Sequence, residues 1–265
     1  MNLFEAIILG IVQGITEFIP ISSSGHLIVL QRVFGIEEPL LTFDIAVHVG
    51  SLVAILIVFW PDVWTLIKKP FSKMAGLLII GSIPAIILGF IFHQFGIMEN
   101  NFRTGIWLAA AFTLTGFLLL FSDRFVAGTK EERDITWFDA LFVGICQAFA
   151  IPPGISRSGT TITGALTRGI NREAATKFSF LLAMIAIAGG GLLEAVNVAR
   201  GSESVANTGL MNIIVGMAVS AVVGYIAIRW LLKLIKACKL RYFSFYLWGL
   251  AALIFVDWLV FRHFF

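Results

Sequence analysis

The sequence predicts an all-α polytopic membrane protein with six transmembrane helices and two re-entrant helix–loop–helix segments in an inverted repeat. Three observations lead there. The first is composition: 58% of the residues are hydrophobic and 13% charged, with a mean hydropathy of +0.94. A soluble domain is about 45–50% apolar and about 25% charged, so an ordinary cytosolic or secreted globular protein is excluded. The second is the pattern of long apolar stretches, and the third is a repeat within the chain. A net charge of +3 does not suggest a nucleic-acid binder. Cys146 and Cys238 stand apart without C-x-x-C spacing, which argues against a disulfide framework or a zinc site. The first residues lack a basic n-region, so no cleavable signal peptide is expected.

Taken in order, the chain opens with an apolar segment at about 4–16, too short to span comfortably. It runs into the polar string from Glu17 to His26. Three stretches follow at about 43–60, 75–92 and 104–121, each close to the roughly 20 apolar residues that a bilayer core requires. A second short segment at about 138–151 runs into the string from Pro152 to Thr160, and three more spans follow at about 178–196, 210–228 and 243–261. Polar, non-helical backbone at membrane depth is tolerated only where protein or a wet cavity surrounds it, which is why both strings are read as re-entrant. An offset of 134 lays Gly10 on Gly144, Gln13 on Gln147, Ser22 on Ser156 and Gly25 on Gly159. The single membrane domain, 1–265, is thus expected to hold internal repeats at 1–130 and 135–265.

Lysine and arginine decide the sense of the repeat, because cytoplasmic loops carry their excess. Three spans per half gather fourteen of the 19 on one side and leave four on the other, with Arg157 inside the membrane. If both polar strings spanned fully, that bias would vanish. An odd number of spans per half inverts the second copy. Both termini are then expected outside, and the two strings enter from opposite faces toward a midplane site.

Ionisable groups within a bilayer are costly and mark function by default. Glu17, His26 and Arg157 are such groups. Hydroxyls at Ser22, Ser23, Ser24, Ser156, Ser158 and Thr161 surround them, with Gly25 and Gly159 interleaved. Half-helices beginning near Ser23 and Ser158 would aim free N–H groups at an anion, and Arg157 offers a planar fork suited to phosphate. Each hydroxyl taken singly has a plainer role in helix packing, and Glu17 with Arg157 is also readable as a structural ion pair. Asp44 and His48, four residues apart on one helical face, have either a supporting or a purely structural part. Glu194 reads as a snorkelling or capping residue.

At these residues the chain resembles the undecaprenyl-diphosphate phosphatase family, the bacitracin-resistance proteins of bacterial inner membranes. That family carries an (E/Q)-x-x-x-E motif, here Gln13 to Glu17, followed by P-x-S-S-x-G-H, here Pro20 to His26. A second motif, P-G-x-S-R-S-x-x-T, is filled from Pro153 to Thr161. The resemblance implies hydrolysis of undecaprenyl diphosphate to undecaprenyl phosphate and inorganic phosphate, recycling the lipid carrier for peptidoglycan synthesis. It implies an inner-membrane location, an active site open to the periplasm, and a divalent cation such as Mg²⁺ or Ca²⁺; Glu17 would either bind that cation or orient His26. It also implies functional roles for Glu17, Ser23, His26, Ser156, Arg157, Ser158 and Thr161; of these Glu17, Ser23, His26 and Arg157 are expected to be catalytic, and Ser156, Ser158 and Thr161, with Ser22, Ser24, Gly25 and Gly159 beside them, to bind phosphate. Gln13 stands where many members have glutamate, which bears on any mechanism with two carboxylates. For the nucleophile, Ser23 assisted by His26, His26 itself and water all stay open. A homodimer is a further expectation, and the competing class is an inverted-repeat transporter or flippase for a phosphorylated lipid.

Overall fold

The computed structural model describes residues 1–36, 40–96, 102–125, 128–199, 209–237 and 240–265. The expectations for Cys238, Arg200 and Lys239, and for the side chains of His93, Glu194 and Lys236, lie outside what is described. Eleven α-helices are found among the described residues: α1 (Leu3–Thr16), α2 (Ser23–Val33), α3 (Leu41–Val58), α4 (Trp60–Lys68), α5 (Lys73–Gln94), α6 (Gly105–Ser122), α7 (Trp137–Phe149), α8 (Arg157–Thr167), α9 (Arg172–Ala199), α10 (Leu210–Ala237) and α11 (Arg241–Val256). Six of them, α3, α5, α6, α9, α10 and α11, are long and apolar enough to cross a membrane. Most of α5 is apolar around its whole circumference. Ile79, Ile83, Ile86 and Phe90 stay exposed on it, which suits a lipid-facing helix better than a water-facing one.

Two boundaries differ from the sequence reading. The first span ends at Val58, because Pro61 supplies the first turn of a separate helix, α4, that the reading did not foresee. Trp60 and Trp64 stack at 5.8 Å on α4, and the Lys68 ammonium lies 5.0 Å over the Trp64 ring. Such a helix suits the membrane interface. The fourth span begins earlier than expected, at Arg172, because the Asn171 side chain accepts a hydrogen bond from the Ala174 amide at 2.9 Å and caps the helix there.

Polar contacts sort the connections into two ends of the bundle. At one end Lys177 pairs with Asp62 at 2.6 Å and Glu132 at 2.8 Å, and Lys73 donates to the Arg133 carbonyl. Asp123 there accepts from Arg172 and from the Leu240 amide. At the other end Asn212 donates to the Met1 carbonyl, and Phe265 packs on Gly105. Arg103 there donates to Gln31, which donates to Asp44.

The short helices come in two pairs. α1 starts at the Met1 end, and α2 finishes there with Gln31. α7 starts at the opposite end with Asp139, whose wholly buried carboxylate pairs with Lys130 at 3.0 Å and with Arg168, just past α8, at 2.8 Å. Burial would raise the Asp139 carboxyl, but bonds from the Thr136 amide and hydroxyl, with Arg168 and Lys130, outweigh it and hold it down at about 2. Each pair therefore leaves and returns to its own end, and the two ends are opposite.

α1 packs on α10, and α7 packs on α5. Both contacts are glycine to glycine. A Cβ on Gly10 would stand 2.6 Å from the Gly216 carbonyl oxygen, and one on Gly144 would stand 2.2 Å from that of Gly81. Small residues of this kind let helix backbones meet in a membrane interior, where apolar burial alone gives little preference for protein over lipid.

Candidate active site

The two connecting loops meet in the interior. Ser22 caps α2 by accepting from the Gly25 amide at 3.4 Å, and Ser156 caps α8 by accepting from the Gly159 amide at 3.1 Å. The leading amides of each helix have no carbonyl one turn back to bond to, so two positive helix ends converge here. Ser22 holds φ at 69°, a left-handed value that costs a non-glycine residue about 1–3 kcal/mol and that clusters at functional sites. Ser156, at the matching place in the second loop, is unstrained at −75°.

Between the loops lies a cavity of about 300 Å³, lined by Glu17, Ser22, Ser23, Ser24, His48 and Arg157 among others. Glu17, at the end of α1, is nearly fully buried. Its Oε1 accepts from Arg157 Nη2 across the loops. Its Oε2 accepts from Ser23 Oγ at 2.5 Å and from Gln13 Nε2 at 2.9 Å, and faces His48 Nε2 at 3.4 Å. Ser158 Oγ, from the second loop, donates to the Ile19 carbonyl of the first at 3.3 Å. Arg157 Nη1 is buried and finds no partner among the described residues. Arg157 lines the cavity, and a guanidinium with one arm on a carboxylate and another without a partner has donors left for an anionic oxygen.

The 134-residue offset explains why the site is composite. It sets Ser23 against Arg157, and Glu17 against Ile151. The acid and the hydroxyl thus come from the first loop and the cation from the second. Neither loop alone carries the set.

A family model described as bacitracin resistance protein BacA matches residues 6–253 of this chain. The chain belongs to the BacA family. Among its relatives, the undecaprenyl-diphosphatase of Carboxydothermus hydrogenoformans is 44% identical over 256 residues, covering 97% of each chain. The undecaprenyl-diphosphatase 4 of Bacillus cereus is 46% identical over 96% of each. That of Halothermothrix orenii is 39% identical over 97% of this chain and 98% of its own. With six apolar helices of spanning length, this BacA protein is a multi-pass membrane protein.

Within the BacA chain the expected site residues divide into two groups. Glu17, Ser22, Ser23, Ser24, Ser156, Arg157 and Ser158 all line the cavity. His26 does not. Its Nδ1 meets the Ser22 carbonyl at 2.7 Å and its Nε2 the Tyr246 hydroxyl at 2.8 Å, with the two rings stacked 5.7 Å apart. The expected Ser23–His26 partnership is replaced by Ser23–Glu17. The cause is the helix itself: His26 hydrogen-bonds back to the carbonyl of Ser22, the cap of α2, and that bond turns its ring toward α11. Thr161 is likewise turned away, bonding the Arg157 carbonyl at 2.8 Å and Ser179 at 2.6 Å. The Gly25 and Gly159 amides are committed to their caps, and Gly25 lies where a Cβ would come within 3.0 Å of the Gly154 Cα.

Two contacts have no signal in the sequence. Tyr246 carries no motif signal, since it approaches His26 from 220 residues away. His48 was set beside Asp44 as a helix-face neighbour, and its alignment with Glu17 needs the packing of α1 on α3. Among the described residues no three His, Cys, Asp or Glu side chains stand close enough to hold a metal ion. A cation at Glu17 would have to share a carboxylate that already takes Arg157 on Oε1 and Ser23 and Gln13 on Oε2. Mg²⁺ sites of this chemistry use one or two carboxylates together with substrate phosphates.

Proposed function

We propose that this protein is an integral membrane phosphatase that hydrolyses undecaprenyl diphosphate to undecaprenyl phosphate and inorganic phosphate. The observation that carries the reading is the Ser23–Glu17–Arg157 constellation, set between two helix N-termini in an apolar bundle. The names of the relatives point the same way. A diphosphate needs its charge neutralised and a nucleophile aimed in line with the leaving oxygen. Arg157 and the two helix ends supply the first. Ser23 Oγ supplies the second: it attacks the terminal phosphorus, the bridging P–O bond breaks, and undecaprenyl phosphate leaves. The Ser23 proton passes to Glu17 Oε2. Water then cleaves the phosphoserine and releases phosphate. Returning the lipid carrier to peptidoglycan synthesis is in keeping with the family's description as bacitracin-resistance proteins.

In purified form, reconstituted in vesicles, the protein should release phosphate from undecaprenyl diphosphate, and Arg157→Ala should not. Movement of an intact diphosphate lipid across the vesicle without phosphate release would favour the transporter reading instead.

The placement of the short helix pairs supports a re-entrant, inverted-repeat arrangement of 1–130 and 135–265 in the bacterial inner membrane. On this reading the Lys177 end is cytoplasmic, the termini are periplasmic, and the site opens to the periplasm. With Cys146 and Cys238 replaced, a cysteine at Lys69 should be labelled by an impermeant reagent only in lysed cells, and one at His263 in intact cells. Equal labelling of both would defeat the arrangement.

A further inference from the structure

Burial forces one question about Glu17: where its proton goes. The carboxylate is paired with Arg157 and already accepts from Ser23 and Gln13, so a proton taken from serine would displace one of these contacts if it stayed there. The candidate for that proton stands on the other side of the same oxygen. His48 Nδ1 lies 2.6 Å from the Asp44 backbone carbonyl, which can only accept, so Nδ1 carries hydrogen. That leaves Nε2 as the nitrogen facing Glu17 Oε2 at 3.4 Å. Nε2 is then a free acceptor within reach of a proton that arrives at Oε2.

We propose that His48 is a positioning and proton-holding residue for the phosphatase reaction, acting through Glu17. This rests on the reading of Ser23 as nucleophile. When the Ser23 Oγ–P bond forms, the serine proton moves to Glu17 Oε2 and on to His48 Nε2, and the bridging P–O bond breaks with its electron pair on the departing lipid phosphate. When water attacks the phosphoserine, the P–Oγ bond breaks and the proton returns from His48 to Ser23 through Glu17, while both protons of the water leave with the phosphate as H2PO4−. Protons and electrons balance with no further reactant. His48 is suited to this by its place: it lines the cavity, its side chain is 27% exposed there against 4% for Glu17, and its far nitrogen is fixed to helix backbone. The charged and titratable groups around it are Glu17 from α1, Arg157 from α8, Asp44 one turn back on α3, and Arg103, which reaches Asp44 through the neutral amide of Gln31.

The same geometry gives a meaning to Gln13. Gln13 Nε2 and His48 Nε2 approach the same Glu17 oxygen. The family motif admits glutamate at position 13, where a second carboxylate would stand within reach of that oxygen and could itself hold the proton. In this chain position 13 is a neutral amide, and the titratable partner comes from α3 instead. His48 thus stands in for the second carboxylate.

The test uses the full-length protein in detergent or vesicles with undecaprenyl diphosphate. His48→Gln should lower kcat about 100-fold or more, the scale of a lost general base, with KM changed less than about threefold. Glutamine can brace a carboxylate but cannot carry a proton. His48→Gly should regain activity with added imidazole, which a residue that merely packs would not allow, whereas Ser23→Ala should not respond. The double variant Gln13→Glu/His48→Gln should recover at least tenfold over His48→Gln. A His48→Gln variant with wild-type kcat would overturn the proposal while leaving the phosphatase reading standing. A folded His48→Gly variant blind to imidazole, together with no recovery in the double variant, would overturn it equally. Wild-type protein without phosphate release would overturn the reading itself.

Discussion

Arg157→Lys should lose about 100- to 1,000-fold in kcat/KM while the protein folds and inserts normally. That range is the scale of removing one preorganised donor from a developing negative charge. The argument is geometric. Arg157 Nη2 is committed to Glu17, and Nη1 is buried at the cavity without a partner, so both arms of one planar fork are needed. Lysine keeps the positive charge but places it at one point and cannot hold Glu17 and a phosphate oxygen with the same fixed spacing. Thermal unfolding in detergent separates the causes. A variant with wild-type stability and near-wild-type turnover would mean that Arg157 acts only as a point charge or a structural partner. The companion variant Glu17→Gln keeps the shape of the site and removes the charge. It too should be nearly inactive, because Ser23 then has no carboxylate to accept its proton.

The second large effect concerns the nucleophile. Ser23→Ala should lower kcat by more than 1,000-fold, and Ser23→Ala/Glu17→Gln should be little worse than the worse single variant. Residues that act as a unit are strongly non-additive in this way. Ser23 Oγ donates to Glu17 Oε2 at 2.5 Å, which is the contact that the cycle measures. His26 supplies the contrast. Its nitrogens are taken by the Ser22 carbonyl and the Tyr246 hydroxyl, so it braces the α2 cap rather than the reacting hydroxyl. Its alanine variant should therefore combine additively with Ser23→Ala. If Ser23→Ala costs only about 10- to 150-fold, the value of one hydrogen bond to a charged group, and is additive with Glu17→Gln, then water is the nucleophile and Ser23 merely positions phosphate. Trapped phosphoserine at Ser23, seen by mass spectrometry during turnover, would decide the point directly.

The sequence alone determined the class and the number of spans, and it named several of the side chains that line the cavity. A bilayer leaves few choices: a run of about 20 apolar residues must be a helix, because every backbone N–H and C=O has to be satisfied within the segment. The six spans were therefore legible from composition and length. The 134-residue offset was legible for the same reason that the glycines are, since Gly10 and Gly144 recur where helices must approach closely. The serines before α2 and α8 were legible as helix starts, because a hydroxyl three residues ahead of an amide is a local cap.

What tertiary structure decided is which of these groups face one another. Helical periodicity places His26 on the side of α2 that carries Ser23. It cannot say that the Ser22 carbonyl and Tyr246, 220 residues away, turn that ring out of the cavity. Nor does the run of residues around His48 show that α3 delivers Nε2 to Glu17. Helix α4 also escaped, because Pro61 and two tryptophans following a span read as a span end rather than a new start. Local rules fix what a residue can do with its near neighbours in the chain. The partner of a buried carboxylate is fixed by how helices distant in sequence pack, and in this protein that packing joins Glu17 of one loop to Arg157 of the other, with His48 beside them.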